Sequence, residues 1–436
     1  VSLEAPISVW PGVVNAITGI QRPILQSVWY NYGRDSETRC QTARFTPAIQ
    51  AVDMQVNKMS DIYAQFGITP GINARGNQTL LGGSTPPPEV QQAMDEATNA
   101  GFVDFEELLR KTGEFIADTL GTEMAFVTSG AAAAISLGSA AALAGDDRDK
   151  IGAIPDTSGF DRNEFVFQKG HDYTYRRCFT LSGAKLVDVG RDNGCTVEEM
   201  EAGIGPKTAA IAYFESGHWG TEWVSLDEAR EVADRHGIKL VVDAAGQMYP
   251  LERFTRVARI GDVVAFGAKY FGSPHSTGIC TGRADMVESA FQQNFLGFEL
   301  AGLKGLKRPF GRPYKTDRGE VVGVAVALRR WFTMDHEERL AIEDSKRDAI
   351  SAGLAGIPGV ETSIPSEPLI GPNVVVQVFI DSAITGKTTH EVIDELAAGD
   401  PPIWTRGDDK SINIGVQVLT DEQVQTVIDR LRSALT

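Results

Sequence analysis

Between residues 123 and 281 the sequence returns seven times to one kind of segment, a short run of apolar, β-branched or aromatic residues. The runs cover 123–128, 164–168, 185–189, 208–215, 239–242, 262–266 and 277–281, and stretches with helical spacing such as 226–236 separate most of them. Runs of this length without polar alternation suit strands buried on both faces. Parallel neighbours need long crossovers, which the helical stretches supply. The pattern therefore predicts an α/β fold with a mainly parallel seven-stranded sheet and helices on both faces. Ligand sites of such sheets lie at the carboxyl ends of the strands. After Gly319 the texture changes. One long helical pattern over 321–354 precedes short strands at 374–379, 403–406 and 411–416 and helices at 389–398 and 421–435, the signature of a smaller α+β unit. Residues 1–60 show no clean period but carry Trp10, Trp29, Tyr30 and Tyr32, too aromatic for a disordered tail. The expected division is an arm over 1–60, a large domain over 61–318 and a small C-terminal domain over 319–436.

Charge narrows the partners. The formal net charge is −17. Nucleic acid and anionic membrane surfaces call for a basic face, so neither is expected as a partner. Cys40, Cys178, Cys195 and Cys280 form no C-x-x-C pair, and such sparse usage suits a reducing cytoplasm. The N-terminus shows no charged region followed by a long apolar core, so no signal peptide is expected. The small-sided stretch 130–145 is too short for a membrane span.

Three strand ends carry residues with chemical potential. The run 262–266 is followed by Gly267, Ala268 and Lys269. A lysine at the end of a buried strand has its charge penalised and its pKa lowered, which suits Schiff-base chemistry with a carbonyl cofactor such as pyridoxal phosphate. The alternative is a strand that ends at the surface. The run 123–128 ends in Ser129-Gly130-Ala131, with Ser129 placed to cap a helix whose free N–H groups would receive a phosphate. The alternative is a routine cap on a tightly packed helix. The run 239–242 ends in Asp243, followed by Ala245 and Gln247. An aspartate there can hold the proton of a pyridinium nitrogen, or simply cap the next segment. His171 follows the run 164–168 and could stack on such a ring, and His218 follows another strand end at the same expected mouth. The histidines have no metal-binding spacing, and no G-x-S-x-G elbow follows a strand. Glycines and prolines crowd 72–88, marking a loop where backbone comes close to something.

These segments resemble the selenocysteine-synthase-like branch of the fold type I pyridoxal-phosphate enzymes, which includes L-seryl-tRNA selenium transferase and D-glucosaminate-6-phosphate ammonia-lyase. The resemblance runs from about residue 61 to the C-terminus. It rests on Ile72-Asn73-Ala74-Arg75-Gly76, Leu81-Gly82-Gly83-Ser84, Val127 to Ala133, Gln168-Lys169-Gly170-His171, Val242 to Ala245 and Ala265 to Lys269, with Gly311 to Lys315 and Glu320 to Gly323 extending it. It implies a pyridoxal 5'-phosphate aldimine on Lys269 and an active site shared across a homodimer. Catalysis then falls to Lys269, His171 and Asp243, and cofactor contacts to Ser129, Gly130, Ala131, His171, Asp243, Ala245, Gln247 and Lys269. Arg406, at the end of a short strand, is expected to grip a substrate carboxylate. Arg312, Lys315 and His218 are further candidates for substrate contacts. The chain departs from the branch at Gly267-Ala268-Lys269, where relatives often carry Ser-Gly-Gly-Lys or Ser-Gly-Asp-Lys. The expected activity is an α,β-eliminating lyase on an amino acid or amino sugar acid. An oxygen-dependent oxidase or monooxygenase-decarboxylase, a β-replacing transferase and a catalytically silent binding protein are the alternatives.

Overall fold

The computed structural model describes residues 62–83, 85–217, 219–300, 309–365 and 375–436. The expected arm over 1–60 and His218 lie outside the described residues. In chain order the strands are β1 (Ile72–Asn73), β2 (Met124–Thr128), β3 (Glu164–Gln168), β4 (Lys185–Val189), β5 (Thr208–Phe214), β6 (Lys239–Asp243), β7 (Val263–Gly267), β8 (Gly278–Gly282), β9 (Val360–Ser363), β10 (Val375–Ile380), β11 (Ile403–Trp404), β12 (Arg406–Gly407) and β13 (Ser411–Gly415). The large sheet has the order β2-β8-β7-β6-β5-β3-β4. Every pairing is parallel except those of β8, which runs antiparallel to both neighbours.

The sheet is packed on both faces. All five residues of β7 and of β8 are buried, as are four of five in β2, β3 and β6. Helix Ala131–Ala144 lies across the centre and is buried nearly all round, which its alanines permit. Helices Leu226–His236 and Leu251–Ile260 are the crossovers after β5 and β6, each with one buried stripe.

The described chain holds two hydrophobic cores. The first is built on the seven-stranded sheet, and the second gathers Ile350, Leu354, Val376, Val378, Ile412, Ile414 and the buried face of helix Asp421–Leu435. A four-stranded antiparallel sheet of order β12-β13-β10-β9 backs the second core. The helical pattern over 321–354 is two helices, Arg318–Thr333 and His336–Leu354. Met334 is extended between them, and Asp335 caps the second through the N–H of Glu338. Val321, Val324, Leu328 and Trp331 of the first helix pack into the large-sheet core. The run 403–406 likewise divides. β11 pairs in parallel with β1, while β12 joins the four-stranded sheet. Among the described residues no helix is long and apolar enough to cross a membrane.

Candidate active site

The carboxyl ends of β2, β6 and β7 open onto one cavity of about 300 Å³. Its lining includes Ser129, Gly130, Ala131, Asp243, Ala245 and Lys269. The topology thus brings together the three strand ends singled out in the sequence.

The phosphate-binding end differs in detail from expectation. Ser129 is not the cap of helix Ala131–Ala144. Gly130 holds the N-cap position with φ 93°, and no side chain caps the helix. The first-turn N–H groups precede the first intrahelical bond, from Ala134 to the Gly130 carbonyl. With Ala131 and Ala132 on the cavity wall, they and the helix dipole favour an anion. Gly278 at the start of β8 makes the approach possible. A Cβ there would lie 2.4 Å from the Gly130 carbonyl carbon and 2.7 Å from the Ala131 nitrogen. Ser276 and Thr277 lie on the same wall, with their hydroxyls engaged by Glu320 and by the Pro274 carbonyl.

Asp243 ends β6 only 3% exposed, and among the described residues it has no cationic partner. Its Oδ2 accepts from the Tyr173 hydroxyl at 2.6 Å and its Oδ1 from the Ala245 N–H at 3.0 Å. Burial pushes the carboxyl upward, and these two donors oppose that shift. A carboxylate accepts more than two hydrogen bonds, so capacity remains for a protonated nitrogen in the cavity. Tyr173 is fixed by stacking on Phe214, with ring centroids 3.9 Å apart.

Lys269 sits in the 3-10 turn Ala268–Phe271 that follows β7. Its Nζ donates to the Thr79 hydroxyl at 3.3 Å and lies 5.1 Å from the centre of the Tyr270 ring. Burial lowers its pKa, which raises the share of neutral, nucleophilic amine. Lys269 and Tyr270 also line a second cavity of about 300 Å³, with Asn77, Thr85, Arg330, Arg339 and Glu343. The amine therefore stands between two spaces. Gly267, the departure from the branch, has a packing reason. A Cβ there would meet the Tyr270 ring at 3.2 Å and the Ala245 carbonyl at 3.3 Å.

His171 does not reach this cavity. Its ring stacks on Trp219, centroids 3.6 Å apart, and is edged by Tyr213 and Trp223. It is 1% exposed, and burial drives its pKa down to about 3. A neutral imidazole inside an aromatic box is a poor acid, and the packing of His171 fits a histidine held in the core as well as the ring-stacking role its sequence position suggests. His275 lines the cavity instead, with its Nδ1 against Gly83 and its pKa lowered by burial and by Lys269. Gln247 is buried near Gly217, away from the cavity wall.

Arg406 begins β12 and makes no ion pair among the described residues. Asp408 is engaged by the N–H groups of Lys410 and Ser411, and Asp409 lies 3.6 Å from His390. Arg406 is within electrostatic reach of Tyr270. Arg312 is exposed and lines a separate cavity of about 700 Å³, its guanidinium over Phe298; Lys315 is exposed. Neither is brought to the Lys269 cavity. Sequence reasoning missed Tyr173, Thr79 and Tyr270. Only Tyr270, adjacent to Lys269, carried a signal of its own.

A helix N-terminus, a buried acid without a counter-charge among the described residues and a half-buried lysine around one cavity fit a phosphorylated pyridine aldehyde. They define the class as a pyridoxal-phosphate-dependent enzyme of fold type I. The comparisons narrow it. The chain is 30% identical over 386 residues to a 5'-C-glycyluridine monooxygenase-decarboxylase of Streptomyces sp, covering 86% of this chain and 92% of that protein. It is 30% identical over 352 residues to a D-glucosaminate-6-phosphate ammonia lyase of Salmonella typhimurium, covering 79% and 89%. A solved structure of a D-glucosaminate-6-phosphate ammonia-lyase superposes with a TM-score of 0.73 at 28% identity, over 87% of this chain and 99% of that one. No family model matches the sequence. The chain belongs to the family of these enzymes, the selenocysteine-synthase-like branch of fold type I.

Proposed function

We propose that this enzyme holds pyridoxal 5'-phosphate on Lys269 and acts as a lyase on an amino acid or amino sugar acid. The carrying observation is Asp243, a buried carboxylate without a counter-cation among the described residues that faces the same cavity as the Lys269 amine. The N-terminus of helix Ala131–Ala144, with Ser129 and Gly130, holds the phosphate. Asp243 keeps the proton on the ring nitrogen, and Tyr173 keeps Asp243 in place. When bound, the cofactor supplies an electron sink for charge developing at the carbon beside the substrate amine. Lys269 links the cofactor covalently and, once released by substrate, moves the proton at that carbon. Arg406 grips the substrate carboxylate. His275, on the cavity wall, is the better candidate than His171 for protonating a departing substituent. We further propose a cytoplasmic homodimer with its site near the shared face.

A second reading, oxygen-dependent oxidation or decarboxylation, is favoured by the similarity to the monooxygenase-decarboxylase. The test has two parts. Borohydride treatment of protein reconstituted with pyridoxal phosphate should fix the label on Lys269, and a label elsewhere would sink the cofactor assignment. Turnover assayed with and without oxygen should persist anaerobically and release ammonia. Turnover that stops without oxygen, with carbon dioxide or peroxide as aerobic product, replaces the lyase reading by the second one.

A further inference from the structure

The second cavity at Lys269 carries a buried acid that the chemistry above leaves unused. Lys269 and Tyr270 line this cavity as well as the cofactor cavity, so a substrate joined at Lys269 can extend its side chain into it. Glu343 lines it from helix His336–Leu354 and is only 8% exposed. Burial pushes its carboxyl upward, and Arg339 opposes that shift. The Arg339 Nη1 donates to both carboxylate oxygens, each at 3.1 Å. The two arginines on the same wall are already engaged. Arg339 gives its Nε–H to the His336 Nδ1 at 3.1 Å, and its guanidinium lies over the Tyr249 and Trp331 rings, 5.0 and 5.1 Å from their centres. Its Nη2 is shut off from solvent, so it presents no donor to the open space. Arg330 sets its Nε 2.7 Å from Glu89. Glu343 differs from both. A carboxylate has about four acceptor sites, and a single nitrogen of Arg339 occupies two of them. The remaining acceptor capacity is what this wall holds out to a ligand.

We propose that the second cavity receives the substrate side chain and that Glu343 determines its class, accepting a hydrogen bond from an uncharged donor, a hydroxyl or a carboxamide. The proposal rests on the reading of Lys269 as the cofactor lysine and deepens it, because it states what the substrate carries beyond the reacting carbon. A hydroxyl or a carboxamide has a hydrogen to give to Glu343. A side-chain carboxylate has none. It also sets a second negative charge against a buried one, and like charges placed together away from water are strongly disfavoured.

The test is a titration of the full chain loaded with pyridoxal phosphate, read as the change in cofactor absorption on binding. Asparagine, homoserine and aspartate are the probes, each as both enantiomers. Asparagine and aspartate share one shape, so that pair isolates the donor and the charge. Asparagine or homoserine should bind at least about 10-fold more tightly than aspartate. Glu343→Gln replaces the carboxylate by an amide that itself donates. It should tighten aspartate about 10-fold and bring the ratio of asparagine to aspartate affinity near one. Circular dichroism checks the fold of the variant, and the wild-type ratio decides alone if Glu343→Gln does not fold. Aspartate binding as tightly as asparagine to the wild type overturns the proposal, and so does an unchanged ratio in folded Glu343→Gln. Binding by none of the three probes overturns it too. A wrong cofactor assignment shows itself differently, as a loaded protein in which borohydride fixes no cofactor on Lys269, and the proposal then falls with that reading.

Discussion

At the scale of single residues, the chemistry rests on how burial sets charge. Asp243 is the clearest case, because its donors among the described residues, Tyr173 and the Ala245 N–H, are neutral. Asp243→Ala should leave Lys269 open to borohydride labelling yet slow turnover about 100-fold or more, as expected when a preorganised ionic partner is removed from a reacting ring. Near-normal turnover would place the ring nitrogen elsewhere. His171 offers a test independent of activity. Its pKa is about 3 when folded, against 6.5 in an exposed chain. The unfolded chain binds a proton below pH 6.5 that the folded protein refuses until about pH 3. Stability is therefore undiminished above pH 6.5 and falls as the pH drops through that window. One bound proton changes stability by about 1.4 kcal/mol per pH unit, so the loss between pH 6.5 and 5 is about 2 kcal/mol. The melting temperature of the wild type should fall over that range, and that of His171→Phe should fall less. Parallel curves would show that the imidazole is not held neutral.

At the scale of elements, the cofactor cradle depends on how closely helix Ala131–Ala144 approaches β8. Gly278→Ala would push a Cβ into the Gly130–Ala131 peptide, and backbone on both sides leaves no flexible neighbour to yield. Affinity for pyridoxal phosphate should drop at least about 10-fold, read by fluorescence titration, while Gly205→Ala, where the added Cβ meets nothing, should bind normally. Six strands of the large sheet were legible in the sequence because burial on both faces erases polar alternation, and the edge strand β4, where only Val189 is buried, was legible from its Leu and Val residues. β9 was not, since its residues alternate between half-buried and exposed and its period is too short to stand out. The break between helices Arg318–Thr333 and His336–Leu354 was hidden for another reason. No glycine or proline marks it, and the stop is one extended methionine and one aspartate cap. The strand-end residues Ser129, Asp243 and Lys269 could be read from position alone. Tyr173 and Thr79 could not, because each reaches its partner across a long stretch of chain, Tyr173 to Asp243 and Thr79 to Lys269. His171 shows the converse, a residue at the right strand end whose neighbours Trp219 and Trp223 claim it for packing.

At the scale of the whole described molecule, the site draws on two cores that carry different halves of the work. Asp243 and Lys269 hang from β6 and β7, whose apolar residues belong to the first core. Arg406, proposed to grip the substrate carboxylate, follows β11, whose Ile403 belongs to the second. Loosening one core should therefore damage one function selectively. Ile403→Ala removes a fully buried side chain next to the paired strands and should cost about 2–5 kcal/mol locally. The strand that leads into Arg406 would slacken, so the KM for a carboxylate substrate should rise several-fold while affinity for pyridoxal phosphate and labelling of Lys269 stay near wild type. Val264→Ala, in fully buried β7, should do the reverse, weakening cofactor binding and sparing the KM. Measuring both quantities on both variants makes a cross of four numbers. If each variant impairs both alike, the two cores act as one cooperative body, and the division of cofactor and substrate binding between them is wrong.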